Sequence, residues 1–164
     1  MLTMFLAIVF CAAMALMLIS CVAFIQDNKF FSSAPKEAIE VLIQREQELF
    51  YGARAIGWAL CIISVLMILG TGVIAIWDGF RRGSTFWQFF LRFVLIFTIY
   101  KFCDMTLIDN FLLLKFHFFQ HYYPEAAHVM EGRKYGFNIV SQLLKLFVIF
   151  PAVSALTAWI CTPF

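Results

Sequence analysis

Charge is scarce in this chain. Lysine, arginine, aspartate and glutamate make up 13% of its 164 residues, whereas 63% are hydrophobic. A soluble globular domain is nearer about 45–50% apolar, and a chain this short cannot bury the excess in a core of its own. Basic runs are absent too, and a net charge of +2 gives no footprint for nucleic acid. Histidine occurs three times, too rarely for the histidine-rich di-iron sites of membrane hydroxylases and desaturases. The chain has no His-Glu-x-x-His zinc helix, no Gly-x-Ser-x-Gly elbow and no glycine loop to cradle phosphate. Its five cysteines (Cys11, Cys21, Cys61, Cys103 and Cys161) are odd in number and scattered singly, mostly in apolar runs. That spacing excludes a disulfide framework and a zinc pattern, and reads as small buried or lipid-facing residues.

What is present is a series of long apolar stretches. Four of them, about 2–25, 53–77, 85–103 and 139–160, are near the 20 residues needed to cross a hydrocarbon core of about 30 Å. Tyr51, Trp58, Trp77, Trp87 and Trp159 suit the membrane interfaces. Ala53 with Gly57, and Ala55 with Ala59, are small residues four apart that let helices approach closely. Arg92 interrupts the third stretch about two turns in, near enough to an end to snorkel, and Pro151 is expected to kink the fourth. The expected fold is all-α: a single transmembrane domain over 1–164, built as an integral membrane four-helix bundle with loops at 26–52, 78–84 and 104–138.

The first stretch has competing readings. A secretory signal carries a positive n-region and an apolar core of about 7–15 residues; here the first basic residue is Lys29 and the run is longer. Leu18-Ile19-Ser20-Cys21 resembles the lipobox of bacterial lipoproteins, with cleavage before Cys21. The preferred expectation is a retained first helix. Basic residues in the first and third loops, Lys36, Arg133 and Lys134 among them, outnumber Arg81 and Arg82 of the middle turn. By the positive-inside rule this puts both termini outside.

Between the first two crossings, Ser33-Ala34-Pro35-Lys36-Glu37 reads as a helix start. Ala38, Val41, Leu42, Leu49 and Phe50 then recur at helical spacing against Glu40, Gln44, Arg45, Gln47 and Glu48. The pattern predicts an amphipathic extension running straight into the second crossing.

The polar chemistry is concentrated from Lys101 to Glu125. Lys101 and Asp104 are three apart and share a helix face, so they can pair. Asp109 points about 140° away from Asp104, so the two carboxylates form no acid dyad on one straight helix. The bland reading makes Lys101 and Asp104 interface markers followed by an amphipathic interfacial segment. The sharper one makes Lys101, Asp104 and Asp109 an ion or proton route, with Asp104 and Asp109 as the catalytic candidates. His117, His121 and Glu125 fall on one line of a helix and are the metal-ligand candidates, with His128 as a fourth. Pro124 is expected to end that helix, and the aromatic crowd of Phe116, Phe118, Phe119, Tyr122 and Tyr123 reads equally as a belt at the lipid headgroups.

Asp104, Ile108-Asp109, Phe118-Phe119, Tyr123-Pro124-Glu125 and Gly136-Phe137-Asn138 together resemble an uncharacterised family of small four-helix integral membrane proteins of bacteria, mainly Gram-positive anaerobes. The resemblance covers the C-terminal half. It implies a fold and a location, the bacterial inner membrane, and no activity or site residues.

The sequence is therefore expected to encode a multi-pass inner-membrane protein acting as a scaffold or accessory subunit. Its expected partners are the lipid bilayer, and another membrane protein or a second copy of itself; no nucleic acid and no cofactor are expected. The alternatives are a membrane-embedded metal-binding protein or enzyme acting on a lipid-soluble substrate, and a small transporter.

Overall fold

The computed structural model describes residues 1–31, 40–43, 47–130 and 139–162, with the backbone alone at 31, 109–111, 113, 114, 130 and 139. Among the described residues every regular element is helical. The first helix, α1 (Leu2–Ile19), runs on through a wide π-type turn, Ser20–Ile25, and stops at Gln26, whose φ is 53°. The N–H of Gln26 reaches back five residues to the Cys21 carbonyl at 2.9 Å. Next come α2 (Ala53–Arg81), α3 (Phe86–Cys103), α4 (Phe118–Tyr122), α5 (Ala127–Met130), α6 (Ile139–Leu144) and α7 (Phe150–Cys161). A π-type segment, Lys145–Ile149, joins α6 to α7. Pro151 explains that widening, because its ring would clash with the carbonyl four residues back in a regular turn. Three helices are long and apolar enough to cross a membrane by length and composition: Leu2–Ile25, Ala53–Arg81 and Val140–Cys161.

α1 lies at the centre. It packs against both α2 and α3, and α7 packs on α3. Burial follows the same order, at 33% for the Leu2–Ile25 helix, 22% for Ala53–Arg81 and 11% for Val140–Cys161. One core, where Leu6, Ala7, Ala75, Phe89, Phe93, Ile96, Ala158 and Cys161 meet, joins all four long helices. It lies at the end that holds the start of α1, the α2–α3 turn and the end of α7. α1 and α3 run parallel, with Phe10 edge-on to Phe97 and Tyr100 at 5.8 and 5.2 Å. Phe150 opens the antiparallel α7 by stacking on Phe97 at 5.2 Å.

Small residues set the closest approaches. Gly57 lies against the wide turn of α1, where a Cβ would stand 2.8 Å from Ile25 Cγ1 and Phe24 Cβ. The buried ring of Phe89 sits where a Cβ on Gly79 would be. Ala53 and Gly57 are thus buried, whereas Ala55 and Ala59 stay exposed.

Several expected boundaries change. α2 continues past Trp77 to Arg81, so the turn shrinks to Arg82–Ser84, with Thr85 as the N-cap of α3. Gln88 accepts from the Thr85 N–H at 3.0 Å, one half of a capping box. The expected extension from 36 to 50 lies partly outside the described residues, and the helix start at Ser33 wholly so. Its described end does not run straight into α2. Residues 47–52 are not helical, because Gly52 takes φ 86° and Glu48 accepts from its N–H at 2.8 Å. The expected loop at 104–138 is in part helix: α3 continues without a break as a π-type helix, Asp104–Lys115.

Candidate functional site

The polar centre forms where α3 changes from regular to wide turns. Lys101, in the last turn of α3, donates from Nζ to Asp104 Oδ2 at 2.5 Å, and the two side chains are 4% and 17% exposed. The three-residue spacing visible in the sequence brings them together on one face. Their carboxylate and ammonium offset each other in surroundings where a lone charge would be expensive. Thr106 spends its hydroxyl on the Phe102 carbonyl, four residues back, at 2.6 Å.

The site lies midway along its neighbours. Tyr100, four residues before Asp104, packs edge-on to Phe10 at 5.2 Å, toward the middle of the Leu2–Ile25 helix. Phe150, packed on Tyr100 at 6.3 Å, is near the middle of the Val140–Cys161 helix. From Cys11 to Val22, α1 climbs about 17 Å at 1.5 Å per residue. Phe119, just beyond Asp104–Lys115, packs with Val22 at that level.

Asp109 lies in this wide-turned segment, and its side chain lies outside the description. His117 ends the segment at φ 51° and serves as the N-cap of α4. α4 is only five residues long, and Pro124 opens a separate tight turn, Pro124–Ala126, as its ring predicts. His117, His121 and Glu125 therefore do not share one continuous helix. His117, His121 and His128 are exposed. Glu125 Oε1 accepts from the Ile43 N–H at 3.3 Å. Among the described residues no three His, Cys, Asp or Glu side chains are placed to hold a metal ion.

The aromatic crowd divides. Phe119 and Tyr123 stack at 5.0 Å and are buried in a second core with Val22, Leu42 and Ala126, so these two face protein and not headgroups. Phe116 is exposed. The 118–126 segment thus caps the end of α1.

Two arrangements have no local signal in the sequence. Arg92 does not snorkel outward. Its Nη1 donates to the Ala75 carbonyl at 2.7 Å and its Nη2 lies 3.0 Å from Asp78 Oδ2, which clamps α3 to α2. Arg82 Nε holds the other carboxylate oxygen of Asp78 at 2.9 Å. The second arrangement is the meeting of cysteines. Cys21, in the wide turn that continues α1, and Cys61 of α2 are buried in one small core with Ile25. Only tertiary packing reveals either arrangement.

Comparison of the chain with protein-family models, curated proteins and solved structures finds no match.

Proposed function

We propose that this is a bacterial inner-membrane protein with four crossings that serves as a scaffold or accessory subunit of a membrane complex. The third crossing comprises α3 together with its wide-turned continuation to Lys115. Trp58 and Trp77, both exposed on α2, stand about 28 Å apart along the helix at 1.5 Å per residue, close to a hydrocarbon thickness. Trp87 and Trp159 lie at the same end as Trp77, as an aromatic belt requires. The resemblance to the small four-helix family agrees with this location.

The observation that carries the functional reading is how the charges are disposed. Lys101 is closed onto Asp104 and Arg92 onto Asp78, both turned inward, while the outer helices present apolar faces. Leu66, Leu69, Val73 and Ile74 on α2, and Val153, Leu156 and Ile160 on α7, are exposed. Such faces suit lipid or the helices of another membrane protein. The test is a photo-crosslinking residue at Ala59 of α2 or Val153 of α7 in native membranes. A discrete adduct with one protein supports the reading; lipid adducts alone, on a monomeric chain, count against it.

A carrier role is the second reading, favoured by an ion pair midway along the helices. It assigns proton or ion movement to Lys101, Asp104 and Asp109. Unchanged transport and growth in Asp104→Asn and Asp109→Asn variants of normal abundance would exclude it.

A further inference from the structure

The α2–α3 turn gathers positive charge at the end of the molecule that also holds the start of α1 and the end of α7. The described side chains there include three arginines, Arg81, Arg82 and Arg92, against a single acid, Asp78. Arg92 is spent inside, on Asp78 and the Ala75 carbonyl. Arg81 and Arg82 are exposed.

These two arginines keep donors to spare. The Arg81 guanidinium lies over the Trp77 ring, 5.0 Å from its centroid. Such stacking uses the face of the guanidinium and leaves the N–H groups on its edge open. Arg82 gives Nε to Asp78 and keeps both Nη groups, on a side chain 66% exposed. The turn that carries them is held by its own backbone. The N–H groups of Arg82, Gly83 and Ser84 donate to the carbonyls of Asp78, Phe80 and Gly79 at 3.2, 3.1 and 2.9 Å, with Gly83 at φ 61°.

Trp77 and Trp87, exposed on either side of the turn, are of the type that settles at the membrane interface. Arg81 follows Trp77 by about 6 Å along the axis at 1.5 Å per residue. The headgroup layer adds roughly 5–7 Å to each side of the hydrocarbon, so the two guanidinium groups stand at the level of lipid phosphates. A planar fork of N–H donors matches phosphate oxygens in pairs. The excess of positive charge favours a headgroup of net negative charge over a zwitterionic one.

We propose that the α2–α3 turn is a headgroup site for an anionic phospholipid, Arg81 and Arg82 holding its phosphate and the Trp77 ring its glycerol backbone. The depth of the site rests on the membrane position proposed for the chain, whereas the open donors and the charge excess do not.

The test titrates the full chain, delipidated in a neutral detergent, with dioleoylphosphatidylglycerol and, separately, with dioleoylphosphatidylcholine, and counts bound lipid by native mass spectrometry. The expected result is at least about tenfold tighter binding of the glycerol lipid. Arg81→Gln and Arg82→Gln should each weaken it about fivefold, while Lys29→Gln, beyond the opposite end of α1, and excess inorganic phosphate should leave it unchanged. Melting temperatures without lipid check that the variants fold; if Arg82→Gln does not, Arg81→Gln decides, because Arg81 has no part in the Asp78 clamp. Equal binding of the two lipids, a preference that survives Arg81→Gln, or one that Lys29→Gln weakens as much overturns the site and leaves the membrane reading standing. Displacement of the lipid by inorganic phosphate overturns the lipid assignment. A chain that stays dispersed without detergent and takes up neither lipid overturns the site and the membrane reading together.

Discussion

Arg92 of α3 sets one guanidinium nitrogen 3.0 Å from the Asp78 carboxylate of α2 and another 2.7 Å from the Ala75 carbonyl. One side chain thereby satisfies a charge and a backbone acceptor on the neighbouring helix. Arg82 reaches the same carboxylate from a position 66% exposed, against 14% for Arg92. Arg92→Leu is expected to lower the melting temperature in detergent clearly more than Arg82→Leu, because exposed pairs contribute little. Equal losses in the two variants would show that the clamp is dispensable.

Close packing at the α2–α3 turn gives a second expectation. Gly79→Ala puts a methyl group into the space of the Phe89 ring and should cost about 1–3 kcal/mol. Gly70 and Gly72 face open space, so alanine there should be neutral or stabilise by up to about 1 kcal/mol. Thermal unfolding of the three variants in one detergent checks the ranking, and Phe89→Leu should restore part of the Gly79→Ala loss.

For the buried pair, removing one partner should do more harm than removing both. Lys101→Met leaves Asp104 facing apolar neighbours and should cost about 3–5 kcal/mol. Adding Asp104→Leu should recover much of that loss. A double variant no better than the single one would mean that Asp104 finds other compensation. The measurement is chemical unfolding in mixed micelles.

The cap over the end of α1 should open by itself. Tyr123 is fully buried between Phe119 and Ala126. Tyr123→Ala should cost about 3–5 kcal/mol locally and should speed protease cleavage within 118–130. Cleavage within α2 should stay unchanged, because local units open independently.

Much of this architecture is written in local pattern. The apolar runs mark α1, α2 and the Val140–Cys161 helix, and the three-residue spacing of Lys101 and Asp104 reveals their pairing. Pro124 announces the break after α4. The continuation of α3 through Lys115 is not legible, because Asp104, Asp109 and Asn110 make the stretch look like a loop and wide turns break the 3.6-residue period. Arg92 misleads because its partner lies on another helix, across a turn. Cys21 and Cys61 look solitary because contacts between helices, and not spacing along one, bring them together. The burial of Phe119 and Tyr123 depends on Val22 and Leu42, far away in the chain.

The central place of α1 has a consequence for assembly. Synthesis from the N-terminus delivers the hub ahead of the helices that pack on it. α2 can then dock on α1, α3 on α1, and α7 on α3. Each newcomer finds a partner already in place, so construction proceeds by accretion, and no earlier contact between helices has to be undone.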